Sequence, residues 1–229
     1  TGCQIRPIAT PDGKLTPELM RPYLHGFGDQ HHSQPKALYI SQCTEMGTIY
    51  TPEELKRLME TPIQEKFLCY VRDLFVFSTF TGISYIDLCN LREEHFYRTE
   101  DGKLWVRFKR QKTGSECVIQ ILDLPRQIMD KYKDQRIDDR IFKVPVRSAM
   151  TANFKKLAKK CNIDKRITFH MARHNFASLI TLSQGVPLES VCKMMGHKNI
   201  STTQIYSKLT HQKVNEDIKR ITDSVKTKY

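Results

Sequence analysis

Thr168-Phe-His-Met-Ala-Arg-His174 decides how the rest of the chain reads, together with Gly196-His197 and Tyr206 downstream. Residues three apart on a helix share a face, so His170 and Arg173 are expected side by side. A guanidinium grips phosphate oxygens with a two-pronged fork. Imidazoles donate to the same oxygens or carry protons. A phenol can attack phosphorus and hold it as an ester, which is covalent catalysis without a metal. His170 and His174 also have the i, i+4 spacing of H-E-x-x-H zinc sites, but Met171 stands where the glutamate would be. No metal is expected, and His174 reads as an ordinary packing or surface histidine.

Composition adds a partner. The chain of 229 residues carries a formal charge of +12. Residues 1–50 are balanced, with four basic and four acidic side chains, whereas 103–166 hold 18 Lys/Arg against 7 Asp/Glu. Charge concentrated in this way is the footprint of a polyanion-binding surface, with a merely solvated basic face as the plain alternative. No run approaches the roughly 20 apolar residues of a membrane span, and no secretory segment is evident near the start. Seven cysteines, odd in number and without a C-x-x-C pair, point to reduced thiols rather than disulfides or zinc.

Residues 1–50 are punctuated by Pro and Gly with no sustained period, and are expected to be an irregular arm. The folded region is expected over 51–229. Thr51-Pro-Glu-Glu54 carries a capping box with proline at the first helical position. A buried helix is expected from about Ile63 to Phe80, with Phe67, Leu68, Val71, Leu74, Phe75 and Val76 in the core and a stop near Gly82. Ser84 can cap a short helix carrying Ile86, Asp87 and Leu88. Asp87 there reads, at its plainest, as a surface carboxylate in the first turn.

The period then becomes strand-like. Asp101-Gly102 is a hairpin signal, Leu104, Val106 and Phe108 alternate with polar neighbours, and Lys112-Thr-Gly114 turns the chain into Cys117–Leu122. The spacing predicts a small three-stranded antiparallel sheet with Lys112 at its second tip. Helices are expected from Pro125 to about Lys133 and from Ala149 to Cys161. The outer face of the latter carries Lys155, Lys156, Lys159 and Lys160, suited to DNA phosphates. The signature helix should run from Thr168 to Ser183, the next from Pro187 to Gly196. Ser201 should then cap a short helix that presents Tyr206. A last helix is expected from about Thr210 to Val225. The fold class is therefore α+β, mainly helical with one small sheet.

The series His170-x-x-Arg173-His174, Met194-Met-Gly-His197 and Thr202-Thr-Gln-Ile-Tyr206, with Thr81-Gly-Ile-Ser-Tyr-Ile-Asp-Leu88 and Arg110-Gln-Lys-Thr-Gly114 upstream, resembles the signature of the tyrosine recombinases (phage-type integrases). The resemblance covers about residues 51–226, the extent of that family's catalytic domain, and no complete DNA-clamping domain is recognised ahead of it. It implies a site-specific recombinase that forms a 3′-phosphotyrosyl intermediate on double-stranded DNA. Tyr206 would be the nucleophile and Arg173, His170 and His197 the charge-neutralising groups. Lys112 would be the acid for the leaving 5′ oxygen, with Asp87 steadying the site. Lys109 and Arg110 would add DNA contacts. It further implies no cofactor, metal or ATP, and a homotetramer on DNA, with accessory DNA-bending or excision proteins as further partners. The setting implied is a bacterial cytoplasm, at the nucleoid, on a mobile element.

One residue departs from the pattern. Members of the family generally place an arginine where Ser84 stands. Three readings stay open at this point: another basic residue (Arg92, Arg107 or Arg110) reaches in; the chain manages without it; or cleavage is lost and a DNA-binding module remains. A type IB topoisomerase shares the same chemistry and is the rival enzyme.

Overall fold

The computed structural model describes residues 16–25 and 50–206, except 137 and 205, together with Ile8. The chain divides into two units, Thr1–Thr48 and Ile49–Tyr229. In the first, α1 (Pro17–Met20) is capped by Thr16, whose hydroxyl accepts from the Leu19 amide, and runs into a 3₁₀ turn. The expected helix at 210–225 lies outside the described residues.

In the second unit Thr51 opens α2 (Pro52–Glu60) with the reciprocal capping box read from the sequence. The following helix, α3 (Lys66–Thr81), is the axis of the core: Val71, Leu74, Phe75 and Phe77 are fully buried. Phe67 is the exception to the expected stripe. It lies in the first turn at 49% exposure, because the buried face begins only at Leu68. Gly82 ends α3 in the left-handed conformation at φ +69°, as glycine at this position commonly does. It also has no room for a side chain: a Cβ would lie 2.4 Å from the Phe176 ring.

Ser84 caps α4 (Tyr85–Cys89) as its sequence suggests. Strands β1 (Phe96–Arg98), β2 (Leu104–Lys109) and β3 (Glu116–Gln120) form an antiparallel sheet in the order β1-β2-β3, with Phe96 opposite Val106 and Phe108 opposite Cys117. Alternation of two puts Val106 and Phe108 into the core while Arg107 and Lys109 face solvent. Two helices follow, α5 (Asp123–Lys131) and α6 (Arg147–Lys160), the second buried through Met150, Phe154 and Leu157. Aromatic edges tie α6 to both flanks, Phe75–Phe154 at 5.8 Å and Phe154–Phe169 at 5.3 Å between centroids. Asp73, buried on α3, is satisfied from the α5 end by Lys131 Nζ at 2.6 Å and Tyr132 Oη at 2.8 Å. A buried carboxylate needs such partners.

The signature helix is not one regular helix. It is α-helical only over α7 (Phe169–Asn175), becomes a π-helix at Phe176–Thr181 and closes with a 3₁₀ turn to Gln184. The Thr181 hydroxyl bonds the Phe176 and Ala177 carbonyls across the wide turns, at 3.0 and 2.7 Å. Leu179 and Ile180 are consequently only half-buried. Helix α8 (Leu188–Met195) ends at Gly196, φ +59°, and α9 (Ser201–Gln204) precedes Tyr206; Ser201 is its first residue rather than its cap.

Candidate active site

Arg173 sits at the centre, 6% exposed. Its guanidinium donates to the Gly82 carbonyl at the end of α3 and, at 2.5 Å, to the Met195 carbonyl at the end of α8. One side chain thus pins three elements together and uses two of its five N–H groups doing so. Burial and the neighbouring Arg110 push its pKa down to about 10, so it stays charged at neutral pH.

The end of α8 sets the next residue. Gly196 and His197 amides return to Lys193 and Cys192 carbonyls, each at 3.1 Å, in the manner of a Schellman cap. The turn is packed so closely that a Cβ on Gly196 would lie 2.4 Å from Cys117 Sγ and 3.3 Å from Arg110 Cδ. His197 Nδ1 then lies 2.8 Å from the buried Thr203 hydroxyl, which orients the ring. Desolvation, then Arg173 and Arg110, lower the His197 pKa to about 4.

Tyr206 meets this group from the far side. Its ring stacks at 6.3 Å on His197 and edge-on at 4.8 Å against His174. His174 is 2% exposed, with its Nε2 at 2.7 Å from Nε2 of the exposed His170. His174 is thus the packing histidine its sequence suggests, and its place is between the phenol and His170. Burial, followed by the His170 and Arg173 charges, takes its pKa down to about 4. The signal in the sequence was its spacing, four residues after His170.

The hairpin supplies the opposite wall. Asp87 is buried rather than a surface carboxylate: Oδ2 accepts from the Ser84 hydroxyl at 2.6 Å and Oδ1 from the Gln111 amide at 2.8 Å. Ser84 is thus a cap and a brace, with no charge to offer. Arg110, one residue before Gln111, is packed against Gly196 and close enough to Arg173 and His197 to depress both pKa values. Its buried Nε has no hydrogen-bond partner among the described residues. Of Arg92, Arg107 and Arg110, it is Arg110 that lies beside Arg173 and His197. Arg92 is paired with Asp139 and Arg107 stands over Tyr97 and near Glu116. Lys112 is exposed at the hairpin tip, and Lys109 is exposed on β2. On α6, Lys155, Lys156 and Lys159 face solvent, while Lys160 bonds Glu65 at 2.7 Å.

Residues 49–213 match the model of the phage integrase family. The chain belongs to that family. It is 33% identical over 121 residues to the tyrosine recombinase XerA of Saccharolobus solfataricus, covering 52% of this chain and 40% of that one. A crystal structure of XerA recombinase superposes with a TM-score of 0.59 at 22% identity, over 76% of this chain and 64% of that one. XerH recombinase in a post-cleavage complex with its palindromic difH substrate gives 0.60 at 20% identity, over 75% and 52%. The α+β fold, helical with a small antiparallel sheet, is that of this family. The chain spans less than two thirds of the length of these relatives.

Proposed function

We propose that this chain is the catalytic part of a site-specific recombinase that cuts and rejoins double-stranded DNA through Tyr206. The observation that carries the reading is the clustering of Tyr206, His174, His197, Arg173 and Arg110 in one place. Two guanidiniums beside two imidazoles whose pKa values are lowered by burial form a site suited to an anion. Such preorganised donors act best where water is excluded and charge is developing.

In the reaction, Tyr206 Oη bonds to the scissile phosphorus while the bond from phosphorus to the 5′ oxygen breaks. Arg173 and Arg110 neutralise the non-bridging oxygens, and His197 donates a hydrogen bond to them. Arg110 takes the place left by Ser84, which together with Asp87 braces the hairpin. The phenolic proton passes to the His170–His174 pair, and Lys112 protonates the departing 5′ oxygen, whose alkoxide would otherwise be a poor leaving group. The phosphotyrosyl ester keeps the bond energy, so the partner strand's 5′ hydroxyl can reverse the step without ATP. The residues in these roles need no metal. Paired exchanges on two duplexes call for a tetramer. Lys109 and the α6 lysines contact backbone phosphates, each adding about one unit to the salt dependence of binding. Such an enzyme works where the genome is, in a bacterial cytoplasm.

The test is covalent capture. A nicked suicide duplex is selected from a random-sequence pool for Tyr206-dependent, detergent-resistant attachment to the full chain. Wild type should accumulate the adduct and Tyr206→Phe should not. Binding without capture by either protein would leave a DNA-binding module in place of a recombinase.

A further inference from the structure

The chain from Arg110 to Ser115 is a closed turn. Arg110 N–H donates to the Ser115 carbonyl at 2.9 Å, Gly114 N–H returns to the Arg110 carbonyl at 2.8 Å, and Gly114 takes φ +67°. Lys112 stands exposed in the middle of it. On one flank the Gln111 amide is held by Asp87. On the other, the Thr113 hydroxyl donates to the Gly196 carbonyl at 3.1 Å, 83 residues away, and accepts from the Ser115 amide at 3.4 Å. The Gly196 carbonyl belongs to the turn that aims His197, and that turn leads on to Tyr206.

We infer that Thr113 is a positioning residue that latches the hairpin to the Gly196–His197 turn and so holds Lys112 in register with the nucleophile. The inference rests on the reading of Lys112 as the proton donor. Two latches, one on each side of a single residue, fix an apex that would otherwise swing about the β2–β3 axis. A misplacement of about 1 Å can cost a large factor in rate. The latch also makes placement of the acid conditional on the same turn that carries the imidazole. Proton donation and attack are thereby assembled together: the proton leaves Lys112 Nζ for O5′ as that oxygen leaves phosphorus and Tyr206 Oη joins it.

A change of leaving group separates positioning of the acid from general structural damage. Replacing the scissile 5′ oxygen by sulfur makes departure independent of a proton donor, because a thiolate leaves unaided. The captured duplex is prepared in both forms and cleavage rates are measured with the full chain. Lys112→Ala should be slow on oxygen and restored on sulfur. Thr113→Val should slow the oxygen duplex about tenfold and cut the sulfur duplex at the wild-type rate, and Thr113→Ser should match wild type on both. Equal slowing on the two duplexes, or none on oxygen, would overturn the latch while leaving Lys112 as the acid. Failure of sulfur to restore Lys112→Ala would remove the proton-donor reading and the latch with it.

Discussion

Arg173 and Lys112 face the same chemistry from two differently built walls. Arg173 is 6% exposed, bonded to backbone carbonyls of two elements, and set on the helix against which α3 packs. Lys112 is exposed on a three-residue turn whose outside bonds run from the Gln111 amide to the Asp87 carboxylate and from the Thr113 hydroxyl to the Gly196 carbonyl. On the proposed reading, the groups that neutralise phosphate are part of the core, whereas the group that supplies a proton is mounted on an edge. Stabilising developing charge rewards rigidity, since fixed dipoles need not reorganise. A proton donor has to meet DNA after the duplex has docked, and an exposed tip can reach it.

The largest effect should fall on the buried wall. Arg173→Ala is expected to lower the rate of adduct formation by a factor on the order of 10³, with most DNA affinity kept because backbone phosphates are held elsewhere. It should also destabilise the fold, since the Gly82 and Met195 carbonyls lose a shared donor. Single-turnover capture, filter binding and thermal melting read the three quantities separately. A parallel fall of rate and affinity would contradict the division between the walls.

Next comes the residue that bridges them. Arg110→Ala should slow cleavage by about 10², the typical effect of removing one charge-stabilising donor. Ser84→Arg should not help the wild type, because it removes the cap and the 2.6 Å bond to Asp87 while Arg110 already occupies the pocket. In the Arg110→Ala background the same change should recover part of the loss. If Ser84→Arg accelerates the wild type instead, Arg110 is not the replacement and the pocket is short of one guanidinium.

The sequence made the buried wall legible and the exposed one only partly so. The capping box at Thr51, the glycine stops at 82 and 196 and the alternation of Leu104, Val106 and Phe108 each express a local rule, and each reappears in the structure. What could not be read depends on contacts far apart in the chain. Asp87 as a hairpin anchor needs Gln111, 24 residues on, and Thr113 needs Gly196, 83 residues on. Arg110 was one candidate among three until β2 placed it against Gly196. Nothing in Phe176–Thr181 departs from an ordinary helical pattern, so the π-helix was not legible either. The neighbours of His174 were hidden for a different reason. Its spacing to His170 was visible, but its partner Tyr206 lies 32 residues downstream and a helix pattern cannot show what packs on it.

The smallest effect tests whether burial really keeps the imidazoles neutral. The groups facing His174 are His170 and Arg173 on its own helix and Tyr206 from beyond α9. Its pKa falls from an ordinary 6.5 to about 4 on folding, so between those values the unfolded chain binds the extra proton. Stability from this group is therefore full above about pH 6.5 and is lost as pH falls towards 4, a contribution of about 3 kcal/mol. His197 should add to the same slope in the same direction. Melting temperature measured from pH 7 to 4.5 should fall more steeply for wild type than for His174→Gln, which has no proton to gain. Bound DNA should oppose the trend, because phosphate oxygens in the pocket favour the charged imidazole and raise its pKa. Affinity should then tighten, not weaken, as pH drops towards 4. If affinity is flat over that range while Arg173→Ala still abolishes capture, the phosphate meets the guanidiniums without approaching the imidazoles.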